Sequence, residues 1–459
     1  MIVTFPSSDQ KARRSTKPNA IKRVVMALVS AAILPVLALG GLSVALVAVS
    51  VPRNVQISPF DEYVYLDYLH KFPTQIVERQ GEETGAYARS VLACRGVLIY
   101  GSYGNGCGNS TRDDSKFPYD GAQGADIYTP AYFAATWALS LPLRAVGIDE
   151  LDAGRLTGAF WLALGAILLY LTLRQLRIGK VLALALPMLV LATPAVHWAN
   201  TYLSTDAPTL AVASALAYLG VRIWSGLSSP WWLVPISIIA VLLKLQNLAA
   251  VAITGIVLLV LCIARARESR SWPSAAMTLW TDKTSRVVVL STVGALAAQV
   301  IWVVVRSRIA LPPDGSSIAP SDVFTPTALF AESTKFFLSV GSAGASSGLA
   351  GSIAATLLQI VTIASVLGLV LIRERNRLGP AVVAATTFGV ATAFGPLLVI
   401  ATYVAVGSYI PLTPRYGLVF LAAFVVCCAI FVQRYVTVSW AKYALLASGV
   451  ILIGFSIAV

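Results

Sequence analysis

VVMALVSAAILPVLALGGLSVALVAVSV, residues 24–51, runs without one charged side chain, and Lys11, Arg13, Arg14, Lys17, Lys22 and Arg23 precede it. A cleaved signal peptide carries an apolar centre of about 7–15 residues. This run is far longer, so it reads as a retained first crossing, with residues 1–23 as a basic cytoplasmic segment. Residues 52 to about 128 then lie outside the cytoplasm. Every later assignment of side rests on that reading.

Composition agrees with a membrane protein. Of the residues, 57% are hydrophobic and 12% charged, with a mean hydropathy of +0.77; a soluble domain carries about 25% charge. The net charge of +13 does not indicate a nucleic-acid partner. Its Lys and Arg residues sit mostly in short clusters between apolar runs, where the positive-inside rule places them.

Further apolar runs fall near 153–173, 181–199, 208–224, 230–246, 247–264, 287–305, 351–372, 379–405, 417–433 and 439–458. The expectation is an all-α polytopic membrane protein with about eleven crossings. The clusters RQLRIGK (174–180), ARARESR (264–270), IRERNR (372–377), Arg222 and Arg434 all become cytoplasmic on this count. Residues 130–148 are apolar enough to span, but counting them would invert every later cluster. They are expected to form a short re-entrant or interfacial helix. Residues 24–459 read as one membrane domain with two large outer loops, 52–128 and 306–350. GSAGASSGLAGS (341–352) reads as a flexible linker.

Cys94 and Cys107 lie in the first outer loop, in ACRGVLIYGSYGNGCG (93–108), where glycines let the chain fold back. An oxidising compartment favours a disulfide between them; the alternative is two free thiols. Cys262, Cys427 and Cys428 fall within apolar runs and read as packing residues. No Cys/His spacing suggests zinc.

SPFDEYVYLDYLHKFP (58–73) follows the first crossing. Ser58-x-x-Asp61 has capping-box spacing, which would make Asp61 a helix cap. Against that, Asp61, Tyr65 and Tyr68 share one face if the helix continues, and a carboxylate among phenol rings suits a carbohydrate. In HWANTYLSTDAPTL (197–210), Asp206 lies where one run surfaces and the next begins, near His197; it too could be a cap. Lys244, in VLLKLQNLAAV (241–251), lies inside a long apolar stretch, where an ionisable residue is costly and marks function unless it snorkels. Arg415, in YIPLTPRYGLVF (409–420), is an outer-side arginine that runs against the positive-inside bias.

Carboxylates and cations on one face suit a sugar linked through phosphate to a lipid. The cations hold the leaving phosphate, and a carboxylate takes the proton of the attacking hydroxyl. At this point the chain resembles the GT-C membrane glycosyltransferases, which include protein O-mannosyltransferases and the bacterial aminoarabinose and arabinose transferases. Asp61-Glu62 stands where that family carries an acidic residue or pair after its first crossing. IYTPAYF (127–133), Gly147 and Arg155-Leu156 follow in the family's order. Asp206 resembles its second acidic position, Lys244 a lysine ending a mid-chain span, and Arg415-Tyr416 a late Arg-Tyr element. TPAY replaces the common double proline, and Lys244 is followed by Leu-Gln in place of Gly.

The resemblance implies a glycosyltransferase using a polyprenyl-phosphate sugar donor, with a glycan, lipid or protein acceptor. It implies Asp61 as general base with inversion, Glu62 and Asp206 positioning sugar, and Lys244 and Arg415 holding the lipid phosphate. Tyr65, Tyr68, Tyr128, Tyr416 and His197 are further candidates for substrate contact. No cofactor is required, although a carboxylate pair with Asp206 could hold a divalent cation. The expected setting is a multi-pass protein of a bacterial plasma membrane, cytoplasmic at its N-terminus, with its site outside. A transporter or flippase of a lipid-linked saccharide is the alternative; a non-catalytic subunit in which Asp61 only caps a helix is a third.

Overall fold

The computed structural model describes residues 18–269, 281–311, 325–344, 348–372 and 378–458. Most of the basic N-terminal segment, residues 345–347 of the linker, and residues 373–377 of the IRERNR cluster lie outside them. Among the described residues the chain is helical, with only isolated β-bridges.

The apolar N-terminal run lies within α1 (Pro18–Arg53). The first long loop contains α2 (Glu62–Lys71) and α3 (Ala86–Arg95) and leads into α4 (Ala131–Ala145). There follow α5 (Glu150–Leu156), α6 (Gly158–Gln175), α7 (Lys180–Leu191), α8 (Pro194–Thr201), α9 (Thr209–Trp224) and α10 (Leu233–Leu243). The second half holds α11 (Leu248–Ser269), α12 (Lys283–Ile309), α13 (Pro326–Leu338), α14 (Leu349–Leu371) and α15 (Leu378–Val406). A 3-10 stretch, Pro414–Phe420, runs into α16 (Leu421–Tyr435), and α17 (Ser439–Ala458) ends the fold.

Eight of the described helices are long and apolar enough to cross a membrane, or nine if α7 and α8, bent by 64°, form one span. This is a polytopic helical membrane protein. The expected eleven runs therefore divide into eight long helices, one bent pair and two short helices, α9 and α10. With 16 residues, α9 reaches about 24 Å; α10 and the 3-10 turn before it (Pro230–Trp232) reach about 22 Å. The 130–148 segment forms α4, whose 15 residues are shorter than any of the eight.

Packing follows the apolar stripes. Leu162, Ala166, Leu169 and Leu173 recur at helical spacing on α6 and are all buried. Lipid is as apolar as leucine, so association within the bilayer relies on close backbone approach. Gly158 supplies one such approach: a Cβ there would collide with the Asn200 carbonyl of α8. Along the bundle α9 packs on α6, α17 on α7, α12 on α10, and α13 on α15.

The first long loop is an ordered cap. Cys94 and Cys107 form the expected disulfide. Arg89 gathers the returning chain by donating to Thr84 Oγ1 at 3.1 Å, the Thr111 carbonyl at 3.1 Å, the Gly121 carbonyl at 3.3 Å and the Asp114 carboxylate. Lys71 binds Asp67 and Glu78, both at 2.7 Å, and donates to the Glu83 carbonyl at 3.0 Å. Arg306 at the end of α12 reaches Asp126 at 2.5 Å.

Glu78 is buried, and one of its oxygens has no partner. Burial pushes its carboxyl up to about 8 in spite of the Lys71 ammonium beside it. The folded state thus holds the proton more tightly than the unfolded chain does. Stability contributed by this proton is fully present below the ordinary carboxylate range and is lost as pH rises towards 8. Glu78→Gln is expected to flatten the fall in melting temperature between pH 5 and 8 by several degrees. Parallel profiles for the two proteins would show that Glu78 carries no such load.

Candidate functional site

Asp61, Asp206, Lys244 and Arg415, spread over most of the chain, meet in one cluster. Each is brought there by a break in helix geometry. Asp61 precedes α2 with φ 62° and ψ 7°, left-handed values that asparagine and aspartate tolerate better than most side chains. Its carboxylate therefore points away from the helix and caps nothing. Asp206 lies in the turn before α9, where its N–H donates to Ser204 Oγ at 3.2 Å. The N-cap of α9 is Pro208, with no side-chain cap. The capping readings of both aspartates thus fail.

Lys244 ends α10 in an extended conformation, φ −165° and ψ 132°, which swings its side chain out of helical phase. Asn247 Nδ2 donates to the Ala240 carbonyl at 2.9 Å, partnering a carbonyl in this broken turn. Arg415 opens the 3-10 stretch, where Thr413 Oγ1 accepts from its N–H at 3.3 Å. Lys335 and Glu332 of α13 hold that segment through the Leu412 carbonyl at 2.7 Å and the Leu412 N–H at 3.2 Å. Gly344 lies against it: a Cβ there would fall 2.8 Å from Pro414 Cδ.

The charges pair directly. Arg415 donates to Asp61 at 2.8 Å, and its Nε stands 3.7 Å from Asp206. The Lys244 ammonium binds the other oxygen of Asp206. Lys244 is only 2% exposed, so it does not snorkel. Asp61 is the member that opens to solvent, its side chain 31% exposed. Aromatic rings wall the cluster: Lys244 lies 5.0 Å from the Tyr416 ring centre and 5.9 Å from that of Tyr128, and Arg415 lies 4.6 Å from that of Phe60. Tyr65 donates to the Tyr128 hydroxyl at 3.1 Å.

Two carboxylates and two cations balance to zero, yet donors remain unused. Arg415 Nε is buried without a hydrogen-bond partner. Among the described residues, Lys244 Nζ makes one hydrogen bond of the three its protons allow. An anion entering this cluster finds cationic N–H groups already in place.

Glu62 stands elsewhere. It is fully buried, and Arg155 of α5 grips both its oxygens at 2.8 Å. The same oxygens accept from the Ser58 N–H and the Leu203 N–H, each at 2.7 Å. With every lone-pair direction committed, Glu62 does not face the cluster and cannot position a sugar. The left-handed turn at Asp61 explains the difference: it directs Asp61 to Arg415, and Glu62, one residue on, back into the protein. Tyr68 is also out of place as a surface ring, being buried and stacked on Phe133 at 3.8 Å. Among the described residues, the His197 side chain makes no hydrogen bond or ion pair with the cluster.

Sequence reasoning missed Tyr119, whose hydroxyl donates to Asp61 at 3.4 Å. The Tyr119 ring is exposed, and a phenol is a neutral donor at physiological pH. It sits on a turn with left-handed φ at Tyr119 and Asp120. Nothing in FPYDG marks that ring as a neighbour of residue 61. Arg415 lies between the two carboxylates, where a divalent cation would have to bind. The described residues hold no group of three or more His, Cys, Asp or Glu suited to a metal.

No protein-family model, no curated protein and no solved structure matches the chain.

Proposed function

We propose that this protein is a membrane glycosyltransferase that moves a sugar from a polyprenyl phosphate to an acceptor hydroxyl. One observation carries the reading: Lys244 and Arg415, distant in sequence, are buried side by side with unused donors, next to a carboxylate that reaches solvent. The donor phosphate binds the two cations. The acceptor hydroxyl gives its proton to Asp61 as its oxygen attacks the anomeric carbon. The carbon–oxygen bond to phosphate breaks on the opposite side, inverting that carbon, and the charge that develops on phosphate is met by Lys244 and Arg415.

Arg415 pairs with Asp61 through one of its terminal nitrogens. Phosphate competes for that arginine, so donor binding frees the base. Asp206 keeps Lys244 in place throughout, and Tyr119, exposed beside Asp61, stands where an acceptor or sugar would pass.

Contacts between helix ends support an odd number of end-to-end passes, which is eleven when α9 and α10 are each counted as one. Arg53, closing α1, donates to the Ile457 carbonyl near the end of α17 at 2.7 Å, so the first and last passes finish at the same end. That requires an odd number. Starting from a cytoplasmic N-terminus, the cluster falls on the outer face, in keeping with the basic clusters at the other end.

The test is incubation of purified protein with a panel of radiolabelled polyprenyl-phosphate sugars in lipid, with product and bound donor measured separately. Lys244→Ala and Arg415→Ala are each expected to weaken donor binding about 10- to 100-fold, the loss of a charge-assisted contact. Unchanged donor affinity in both would remove the phosphate site. Donor carried across the bilayer without transfer would point to a flippase instead.

A further inference from the structure

The two oxygens of Asp61 meet different surroundings. Oδ2 accepts from Arg415 at 2.8 Å, on the side assigned to the donor phosphate, and Oδ1 accepts from the Tyr119 hydroxyl at 3.4 Å. The hydroxyl that attacks an anomeric carbon approaches opposite the leaving phosphate. Its side of the base is therefore the Tyr119 side.

The segment FPYDG (117–121) is anchored at both ends and holds that ring out between them. Phe117 is buried, with the Arg89 guanidinium 5.2 Å from its ring centre. The carbonyl of buried Gly121 accepts from the Thr84 N–H at 2.9 Å, from Thr84 Oγ1 at 3.0 Å and from Arg89 at 3.3 Å, and a Cβ on Gly121 would collide with Arg89. Between these anchors Tyr119 and Asp120 take left-handed φ values of 58° and 51°, which such residues keep only where their surroundings fix them. Both are exposed, Tyr119 by 66%. Core packing does not use the Tyr119 ring, which belongs to neither buried apolar cluster. Among the described residues it meets no other ring, and its hydroxyl bonds only to Asp61.

A phenol with a wet ring and its hydroxyl on a carboxylate matches a saccharide. The C–H face of a sugar covers the ring, while its hydroxyls offer donors to Asp61 and to the neighbouring Asp120. An alkyl acceptor would cover the ring but leave both carboxylates without donors. We propose that Tyr119 is the acceptor platform, and that the acceptor is a saccharide stacked on it with one hydroxyl at Asp61 Oδ1. The transfer to that hydroxyl rests on the reading of Asp61 as base; the binding site does not.

The test is saturation-transfer NMR on full-length protein in nanodiscs, irradiating aromatic protons in the presence of methyl glucoside, methyl mannoside or methyl arabinofuranoside, with a Ser/Thr peptide as the competing class. Wild type is expected to pass saturation to the ring C–H protons of at least one glycoside. Tyr119→Asn deletes the ring yet tolerates the left-handed backbone. It should weaken glycoside binding roughly 10-fold, the loss of one covered ring face, and leave polyprenyl-phosphate binding and melting temperature unchanged. Tyr119→Phe keeps the ring and should stay within about 3-fold of wild type. Saturation of no glycoside, equal glycoside binding by wild type and Tyr119→Asn, or Tyr119-dependent binding of the peptide in place of the glycosides would each overturn the assignment. Failure of polyprenyl phosphate to bind, with Tyr119-dependent glycoside binding intact, would instead sink the transferase reading and leave the saccharide site standing.

Discussion

Asp61→Asn is expected to bind donor and melt near the wild-type temperature, yet transfer sugar at least about 100-fold more slowly, the usual scale of general-base catalysis. The substitution is chosen for its backbone. Asparagine tolerates the left-handed φ of 62° at this position, whereas alanine would add strain and confuse folding with chemistry. Arg415 keeps Asp206 as a charge partner when Asp61 is neutralised. Capping cannot explain a loss, because the Asp61 side chain caps nothing in α2. The check is single-turnover transfer beside donor binding and a melting curve on the same preparation. Wild-type transfer by this variant would end the role of Asp61 as base.

Arg155→Met is expected to produce the largest loss of stability, about 3–5 kcal/mol, because removing one partner of a buried ion pair leaves an uncompensated charge. Arg155 is fully buried. Besides Glu62, it donates to the Asn54 carbonyl and to the Gln56 carbonyl at 2.8 Å, so it joins the end of α1, the start of α2 and α5. Glu62→Gln/Arg155→Met should cost less than the sum of the single changes, since neither charge is then left alone. The measurement is thermal unfolding of the four proteins in one detergent. A wild-type melting temperature for Arg155→Met would show that this ion pair does not hold the cap to the bundle.

The membrane class and the positions of the apolar helices were legible because long apolar runs have few other uses. Asp206, Lys244 and Arg415 were legible for a related reason: ionisable groups within or beside apolar runs are costly and need a partner. Which partner each takes was not, because ion pairs such as Asp61–Arg415 depend on how crossings pack across the whole chain. Glu62 shows the limit. Its place beside Asp61 suggested shared work, but a single left-handed residue sends adjacent carboxylates to different arginines, and alternation of that kind leaves no periodic trace in sequence. Tyr119 was invisible because its approach depends on a loop closed by Arg89 and the disulfide.

The shortness of α9 and α10 has a mechanical consequence. A hydrocarbon slab about 30 Å thick is matched by the long helices but not by these two, which fall short by roughly 6–8 Å. Buried inside the bundle, α9 does not meet the bilayer, whereas α10 reaches the perimeter through Ile239; beside α10 the bilayer must thin, tilt its lipids, or leave polar ends submerged. Hydrophobic mismatch is thus concentrated at the helix that ends in Lys244. The protein gains a preferred bilayer thickness, and its buried cation stands at a depth that a lipid headgroup reaches only where the membrane is pinched.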